Sequence, residues 1–449
     1  MEARKHTLAN LSLLRERLGS GRVRSAKMLV GSLHPSELAR LLESLPITDR
    51  AFIWEMIEPD DEGDVLVELA DEVRDGLIQS MPAEEVIVAL DGMEPDDLAD
   101  LVADLPEALT QEVLRSLDQQ DRERLDTVLS YEEDSAGGLM NLDIITVRPD
   151  VTIEVVLRYL RARADIPDGT DSIYVVDRNN EYFGSVFLSR LLTLDPTSSV
   201  AKIMSTDMHP IPAQTSAEEV VWEFENRDLL SAPVVDEQNQ LVGRITIDDI
   251  VDVIRDEAEH SIMGAAGLDE EDDMFAPVVR SARRRALWLG INLATAFLAA
   301  SVVDLFQTTL DKIVLLAVLM PVVPSMGGVA GSQSLVVITR AMALGQVDRN
   351  NAKRILRKEF LVGMLNGIAW SIVVALATYF WFGDWAIGLV IAGAMAINMA
   401  VAAVAGFSIP LALKRLNIDP ALAGGVVLTT ITDVVGYFAF LGLGALYLL

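Results

Sequence analysis

The stretch Ile173–Leu192, IYVVDRNNEYFGSVFLSRLL, returns 59 residues later as APVVDEQNQLVGRITIDDIV, Ala232–Val251. Each copy reads as an apolar strand, a polar turn, a second strand led by glycine, and a helix. Asp177 and Asp236 stand at the same offset from Gly184 and Gly243, an agreement that chance does not readily produce. From about Gly137 the chain is therefore a duplicated β-α-β-β-α unit, with halves over 137–199 and 200–255.

This tandem resembles a pair of cystathionine-β-synthase (CBS) domains, modules that pair face to face and sense ligands. A second repeat precedes it: HPSELARLLESLP (His34–Pro46) matches EPDDLADLVADLP (Glu94–Pro106). Each copy has proline where a helix starts, leucines on one stripe and proline where the helix must stop, so residues 1–130 read as a stacked α-superhelical domain. Behind the tandem, residues 256–282 are polar and mostly helix-compatible, a connecting helix. Five apolar segments follow, at 286–306, 313–339, 360–382, 385–413 and 421–449, each longer than the ~20 residues that cross a bilayer. The expected fold is multidomain: α-superhelical N domain, α/β tandem CBS domains, connecting helix, and an all-α transmembrane domain of five helices over 283–449.

Charge divides along the same line. Of the 36 Lys/Arg and 67 Asp/Glu, the residues from Arg280 onward hold 13 and 7, a balance of +6, and the first 279 carry −37. An anionic front repels nucleic acid and has the right sign for cations, although acidity alone also serves solubility. There is no cysteine, and His6, His34, His209 and His260 lie scattered without ligand spacing, so disulfides, thiol catalysis and a zinc or copper centre are not expected. The start, MEARKHTLANLSLLRERLGS, is polar and helical in pattern and lacks the apolar core of a signal peptide. Positive residues concentrate before span one (Arg280, Arg283, Arg284, Arg285), between spans two and three (Arg349, Lys353, Arg354, Arg357, Lys358) and between spans four and five (Lys414, Arg415). These ends belong on the cytoplasmic side, which puts the N-terminus inside and the C-terminus outside a multi-pass cell (inner) membrane protein.

The last span contains LTTITDVVGYFAFLG, Leu428–Gly442, with Asp433 in its middle. A charge at the centre of a bilayer costs roughly 2.5–3.5 kcal/mol on insertion scales, so it should face protein, water or an ion. Its helical neighbours at three and four residues, Thr429, Thr430, Gly436 and Tyr437, give one polar, partly small face that reads as pore-lining. The second span holds MPVVPSMGGVAGSQS, Met320–Ser334, where Pro321, Pro324, Gly327, Gly328 and Gly331 weaken regular helix. Broken helix at membrane depth is tolerated when buried in protein or beside a water-filled path, where Ser332, Gln333 and freed carbonyls could meet a hydrated cation. Close helix packing through the small residues explains the same pattern. Asn292, Asn366 and Asn398 add one amide each to spans one, three and four. No loop of the nucleotide-hydrolysing kind is present, and no enzyme activity is expected.

The acidic helical repeats, YEEDSAGGLM (Tyr131–Met140), the CBS tandem, the connector and five spans ending in TDVVGYF together resemble the MgtE family of magnesium transporters, over essentially the whole chain. The resemblance implies a homodimer in the lipid bilayer with its pore between the membrane domains, the pore carboxylate being Asp433. It implies Mg²⁺ influx inhibited by cytosolic Mg²⁺ bound between the helical domain, the CBS pair and the connector. Candidate ligands for that regulatory ion are Asp64, Asp96, Asp97, Asp100, Asp248, Asp249, Asp252, Glu257 and Glu259. Mg²⁺ sheds water reluctantly and is usually held by one or two carboxylates with several waters retained, which suits paired Asp433 side chains. The family's GGNxGxQ-like run appears here as GGVAGSQ, with Val329 at the asparagine, and Ala403 stands near another expected asparagine; AGGVV (Ala423–Val427) stands where proline is common. For ATP, the second CBS copy keeps Thr246 and Asp249 while the first has Phe187 and Arg190 at those positions, so at most one typical site is expected. Left open are a divalent-cation carrier coupled to H⁺ or Na⁺, one for Co²⁺ or for export included, and a non-conducting, membrane-anchored CBS sensor.

Overall fold

Proline placement shapes the front of the chain. The computed structural model describes residues 23–449 apart from 92, 164, 165, 168, 265–267, 269–272, 344, 349 and 417. His6, the helical reading of residues 1–20, the middle of the connector and Arg349 lie outside the described residues. Among the described residues, nine short helices come first: α1 (Val23–Val30), α2 (Pro35–Glu43), α3 (Ile47–Trp54), α4 (Pro59–Val67), α5 (Asp71–Ile78), α6 (Ala83–Leu90), α7 (Pro95–Asp104), α8 (Glu107–Ser116) and α9 (Gln119–Val128). Pro35, Pro59 and Pro95 occupy the first turn, where a missing N–H costs nothing. His34 caps α2, taking the Ser36 N–H, while Glu37 reaches back to the His34 N–H. Pro46 and Pro106, expected as helix stops, lie beyond the ends of α2 and α7 and serve as N-caps of α3 and α8. The repeat's apolar positions are buried in both copies: Leu38 and Leu98, Leu41 and Leu101, Leu42 and Val102, Leu45 and Leu105. Helices two apart pack on one another, α2 on α4, α4 on α6, α6 on α8 and α7 on α9, the arrangement of a superhelix.

The CBS tandem forms two three-stranded sheets of the same design. The first holds β1 (Thr146–Val147), β2 (Ser172–Val176) and β3 (Tyr182–Phe187), and the second β4 (Ile211–Pro212), β5 (Ser231–Val235) and β6 (Leu241–Thr246). In each, the first strand runs parallel and the third antiparallel to the second. Helices α10 (Ile153–Ala162), α11 (Leu188–Thr193) and α12 (Val200–Ile203) accompany the first sheet, and α13 (Ala217–Arg227) the second.

The repeated letters now have causes. Asp177 takes the N–H groups of Asn179 and Glu181, and Asp236 those of Gln238 and Gln240, so each aspartate closes its hairpin turn. Asn180 and Asn239 sit at φ 65° and 60°, a region asparagine tolerates better than most residues. The two turns then bond each other, Tyr182 N–H to Asn239 O at 3.0 Å and Leu241 N–H to Asn180 O at 2.9 Å. Gly184 and Gly243 admit the chain that crosses their sheets: a Cβ would stand 2.5 Å from Ser205 O at Gly184 and 2.9 Å from Asn141 O at Gly243. Gly184→Ala should therefore destabilise this unit by about 1–3 kcal/mol, the usual cost of overpacking. Chemical denaturation followed by far-UV circular dichroism would measure it; an unchanged midpoint would contradict the close approach.

From Ile247 a long helix, α14 (Ile247–Gly264), leaves the second CBS copy. Thr246 caps it, donating its N–H to the Asp249 carboxylate at 3.0 Å, the reciprocal half of a capping box. The chain divides into two compact units, one of residues up to Asp256 plus Asp273–Ala276, the other of Glu257–Asp272 plus Pro277–Leu449.

In the second unit, five helical spans among the described residues are long and apolar enough to cross a bilayer: α15 (Val278–Asp304); α17 (Val314–Leu319) continuing into α18 (Val322–Ala343); α19 (Ala352–Phe382); α20 (Trp385–Arg415); and α21 (Pro420–Tyr447). A short α16 (Gln307–Lys312) joins the first two. Span four, α20, is the centre, packed on α18, α19 and α21. Small residues set these approaches, since lipid offers no hydrophobic drive and van der Waals fit decides. A Cβ on Gly388 would meet Ala375 O at 3.0 Å, and one on Gly363 would collide with Ala403. Asp384 and Asp419 cap α20 and α21, accepting N–H groups of Ala386 and Ile387, and of Ala421 and Leu422.

Candidate functional site

Two carboxylates lie inside the described spans away from helix ends. Glu359 of α19 is buried and accepts the Ser334 hydroxyl at 2.9 Å. Asp433 of α21 is partly buried and makes no hydrogen bond or ion pair among the described residues. Gly424, Leu428, Thr432, Gly436 and Phe440 form the buried stripe of α21, at four-residue steps. Asp433 is one residue, about 100° of helix, off that stripe. Thr429 and Tyr437 lie one turn either side of it, exposed and partly exposed.

Packing sets its depth. A Cβ on Gly328 would lie 3.9 Å from Thr432 Oγ1, one on Gly331 would meet Leu428, and one on Gly424 would stand 3.1 Å from Leu335, so α18 and α21 run antiparallel with Asp433 level with Gly327–Gly328. Gln333 and Ser332 are exposed on α18, and Thr430 is partly exposed on α21. The threonines satisfy their hydroxyl donors within the helix, Thr429 on Gly425 O and Thr430 on Val426 O. The hydroxyl lone pairs stay available.

Two expectations for the second and fifth spans need correction. The break is confined to Met320–Pro321, and the glycine-rich run continues as regular helix through Ala343. Freed carbonyls are therefore not offered by Gly327, Gly328 and Gly331; in an apolar medium a backbone group finds its partner within the helix. Gly327, Gly331 and Gly436 are also not pore-lining. All three are buried, because a Cβ at Gly327 or Gly436 would strike Asn398 and one at Gly331 would strike Leu428. Asn398 is fully buried at this junction, donating to Val323 O at 2.9 Å. Gly328, Gln333, Thr429 and Thr430 keep at least partial exposure beside Asp433.

At the start of span five, Gly264 of α14 approaches Ala421 and Leu422, and His260 Nε2 stands 2.9 Å from Asp419 Oδ2. The end of the connecting helix therefore lies at the N-terminal mouth of the span that carries Asp433.

In the first unit, Glu94, Asp96 and Asp97 at the start of α7 face Asp248, Asp249 and Asp252 at the start of α14. Asp96 is 6% exposed, and its Oδ1 has no hydrogen-bond partner. Burial, then the charges of Asp249, Asp97 and Glu94, raise its carboxyl well above the usual range. Burial and the Glu94, Asp249, Asp100 and Asp252 charges push Asp97 up to about 7. Asp249 rises to about 6, burial and Asp248 outweighing the Thr246 bonds. Asp252 and Glu94 are also raised, chiefly by burial. Glu94, which accepts an amide hydrogen from Asn141, is a member that sequence reasoning missed.

Asp64 is exposed on α4 and is not among the charges acting on this group; Glu257 and Glu259 are exposed along α14. Among the described residues, no three Asp, Glu or His side chains form a cage for a bare ion. Crowded hard oxygens and an orphaned buried Asp96 oxygen still suit a cation that keeps much of its water.

Comparison with known proteins covers both sites. The family profile described as a divalent cation transporter matches residues 320–443, that of the MgtE intracellular N domain 33–134, and that of the CBS domain 136–196 and 200–256. The magnesium transporter MgtE of Thermus thermophilus is 33% identical over 334 residues, 74% of either chain. The chain belongs to the MgtE family. A second MgtE, from Bacillus subtilis (strain 168), is 28% identical over 433 residues, 96% of either chain. A crystal structure of the cytosolic domain of the Mg²⁺ channel MgtE in complex with ATP matches 54% of this chain and 99% of its own, at 32% identity and a TM-score of 0.51. Within this MgtE chain, Val329 is exposed, whereas Ala403 is buried against Gly363 and leaves no room for an amide.

Proposed function

We propose that this chain is a homodimeric Mg²⁺ channel of the cell membrane that admits the ion to the cytoplasm and is closed by cytosolic Mg²⁺. The observation that carries this is Asp433, a carboxylate at membrane depth with no hydrogen-bond or ion-pair partner among the described residues, level with Gly328 and with Ser332 and Thr429 about one turn away. An unpaired intramembrane carboxylate calls for a cation, and the related proteins named magnesium transporters give that cation its identity. Two copies about a dimer axis would present two carboxylates to one hydrated ion, the number Mg²⁺ commonly takes. The positive ends named above support N-terminal domains inside and a C-terminus outside.

The regulatory ion belongs among Glu94, Asp96, Asp97, Asp248, Asp249 and Asp252, whose mutual repulsion opposes packing of α7 against α14 until a cation relieves it. Differential affinity for the packed state then shifts the population toward closure. Asp64, Glu257 and Glu259 would act from outside this group. Thr246 and Asp249, the pair that would meet a ribose in the second CBS copy, are bonded to each other, which suits a part in gating rather than in holding ATP.

Ion flux into liposomes tests the whole proposal. Mg²⁺ uptake should follow the Mg²⁺ gradient alone, compete with Co²⁺ and Ni²⁺, and need no opposing H⁺ or Na⁺ gradient. Uptake that stops when that counter-gradient is collapsed would make the protein a coupled carrier, and no uptake at all would leave a membrane-anchored sensor.

A further inference from the structure

The four residues ahead of the first span belong to the front unit, although those on either side belong to the membrane unit. They are fixed there by a buried ion pair. Arg50 of α3 donates from Nη1 to Asp273 Oδ2 at 2.6 Å and from Nη2 to Asp273 Oδ1 at 2.7 Å, with side chains only 5% and 4% exposed. The guanidinium is aimed by α2, whose Leu42 carbonyl takes Arg50 Nε–H at 2.9 Å and whose Glu43 carbonyl takes a further N–H at 3.4 Å. The Asp273 N–H donates to Glu72 of α5 at 2.6 Å, and the Phe275 ring lies 5.8 Å from the guanidinium carbon. Asp273 Oδ1 also accepts the Phe275 N–H, closing residues 273–276 into a turn. Two helices of the array, α3 and α5, thus grip one turn, and a third, α2, holds the arginine in place. Pro277, the N-cap of the first span, follows it with no spare residue.

A bidentate pair removed from water holds both partners in one geometry, and either alone would be a buried, uncompensated charge. We propose that this grip is a second mechanical link, separate from α14, through which the helical array acts on the first membrane span and by which its packing state helps set the gate. It rests on the gated-transport reading above. Without the grip, the array would move while the span's N-terminus stayed behind, so closure by Mg²⁺ would weaken although the open path was untouched.

The test uses full-length protein in liposomes, with Mg²⁺ varied on the side of the N-terminal domains. Asp273→Asn and Arg50→Gln should each raise the Mg²⁺ concentration for half-closure by at least about fivefold, the lower end of usual allosteric couplings. Uninhibited flux should stay unchanged, and the exchange Arg50→Asp with Asp273→Arg should recover part of the loss. Circular dichroism melting checks that the variants fold. Half-closure within twofold of the parent in both folded single variants would overturn the link. A second readout separates failure of the link from failure of the transport reading. The chain has no cysteine, so Val279→Cys on the exposed first turn of the span can be labelled alone. Its maleimide labelling rate should depend on Mg²⁺ with the pair intact and not with Asp273→Asn. If the parent carries no flux, this rate decides the link, and equal Mg²⁺ dependence with and without the pair sinks it.

Discussion

Replacing Asp433 with asparagine should cut Mg²⁺ flux through the reconstituted protein by at least about tenfold while leaving it folded. Asparagine keeps the size of the side chain, so the neighbours on α21 and α18 are undisturbed and only the charge is lost. At an effective dielectric of about 20, a divalent ion 5 Å from one carboxylate gains on the order of 6 kcal/mol in Coulomb energy. A tenfold effect needs only about 1.4 kcal/mol of that to survive desolvation and screening. The two aspartates of a dimer would be lost together, so the ion would meet only amides and hydroxyls at that depth. Asp433→Glu, which keeps the charge on a longer arm, should retain more flux than Asp433→Asn. The measurement is Mg²⁺-sensitive dye fluorescence in liposomes. Parental rates from Asp433→Asn would move the conducting path away from this residue. Glu359→Gln is the control, since Glu359 is bonded to Ser334 and a glutamine can keep that contact.

What the sequence disclosed follows the range of the interactions involved. The CBS repeat was legible because its causes are local: Asp177 closes a turn two residues on, and Gly184 must lack a Cβ wherever the crossing chain approaches. Pro35 and Pro95 likewise mark helix starts through their own missing N–H. The five spans were legible from length and apolarity, and Asp433 from its contrast with them. The glycine run of span two was misread for the same reason. Glycine lowers helix propensity in water, but at membrane depth the helix persists and the missing side chains are filled by Asn398 and Leu428 of neighbouring helices. Residues that meet across the fold carried no local signal. Arg50 and Asp273 are 223 positions apart, Asn141 and Glu94 47, and His260 and Asp419 159. Glu359 was hidden among the positive residues at the end of its span.

Acid should substitute for Mg²⁺ in holding α7 against the start of α14. Asp96, Asp97, Asp249, Asp252 and Glu94 are all raised in the packed arrangement, Asp97 to about 7 and Asp249 to about 6 against an ordinary 3.8. A carboxyl with a raised value binds its proton more tightly when packed, so packing is favoured at low pH. It weakens as pH climbs past 3.8, and for Asp97 the penalty is complete once the pH is well above about 7. Each tenfold gain in proton affinity corresponds to about 1.36 kcal/mol, so Asp97 alone weakens packing by roughly 4 kcal/mol at most, less what solvent at its partly exposed edge screens. Spin labels on Glu112→Cys of α8 and Glu225→Cys of α13, both exposed, would report the separation of the helical array from the CBS pair. Without Mg²⁺, a single short distance is expected at about pH 5.5 and a broad, longer distribution at about pH 8, with millimolar Mg²⁺ restoring the short distance at the higher pH. Asp97→Asn should narrow the difference between the two pH values. Because a cation and protons compete for the same oxygens, adding Mg²⁺ near neutral pH should also release protons, which a pH indicator in weak buffer would register. Equal distances at both pH values in the absence of Mg²⁺ would mean that the carboxylates repel too little to govern the packing, and the closing role proposed for the acidic group would fall.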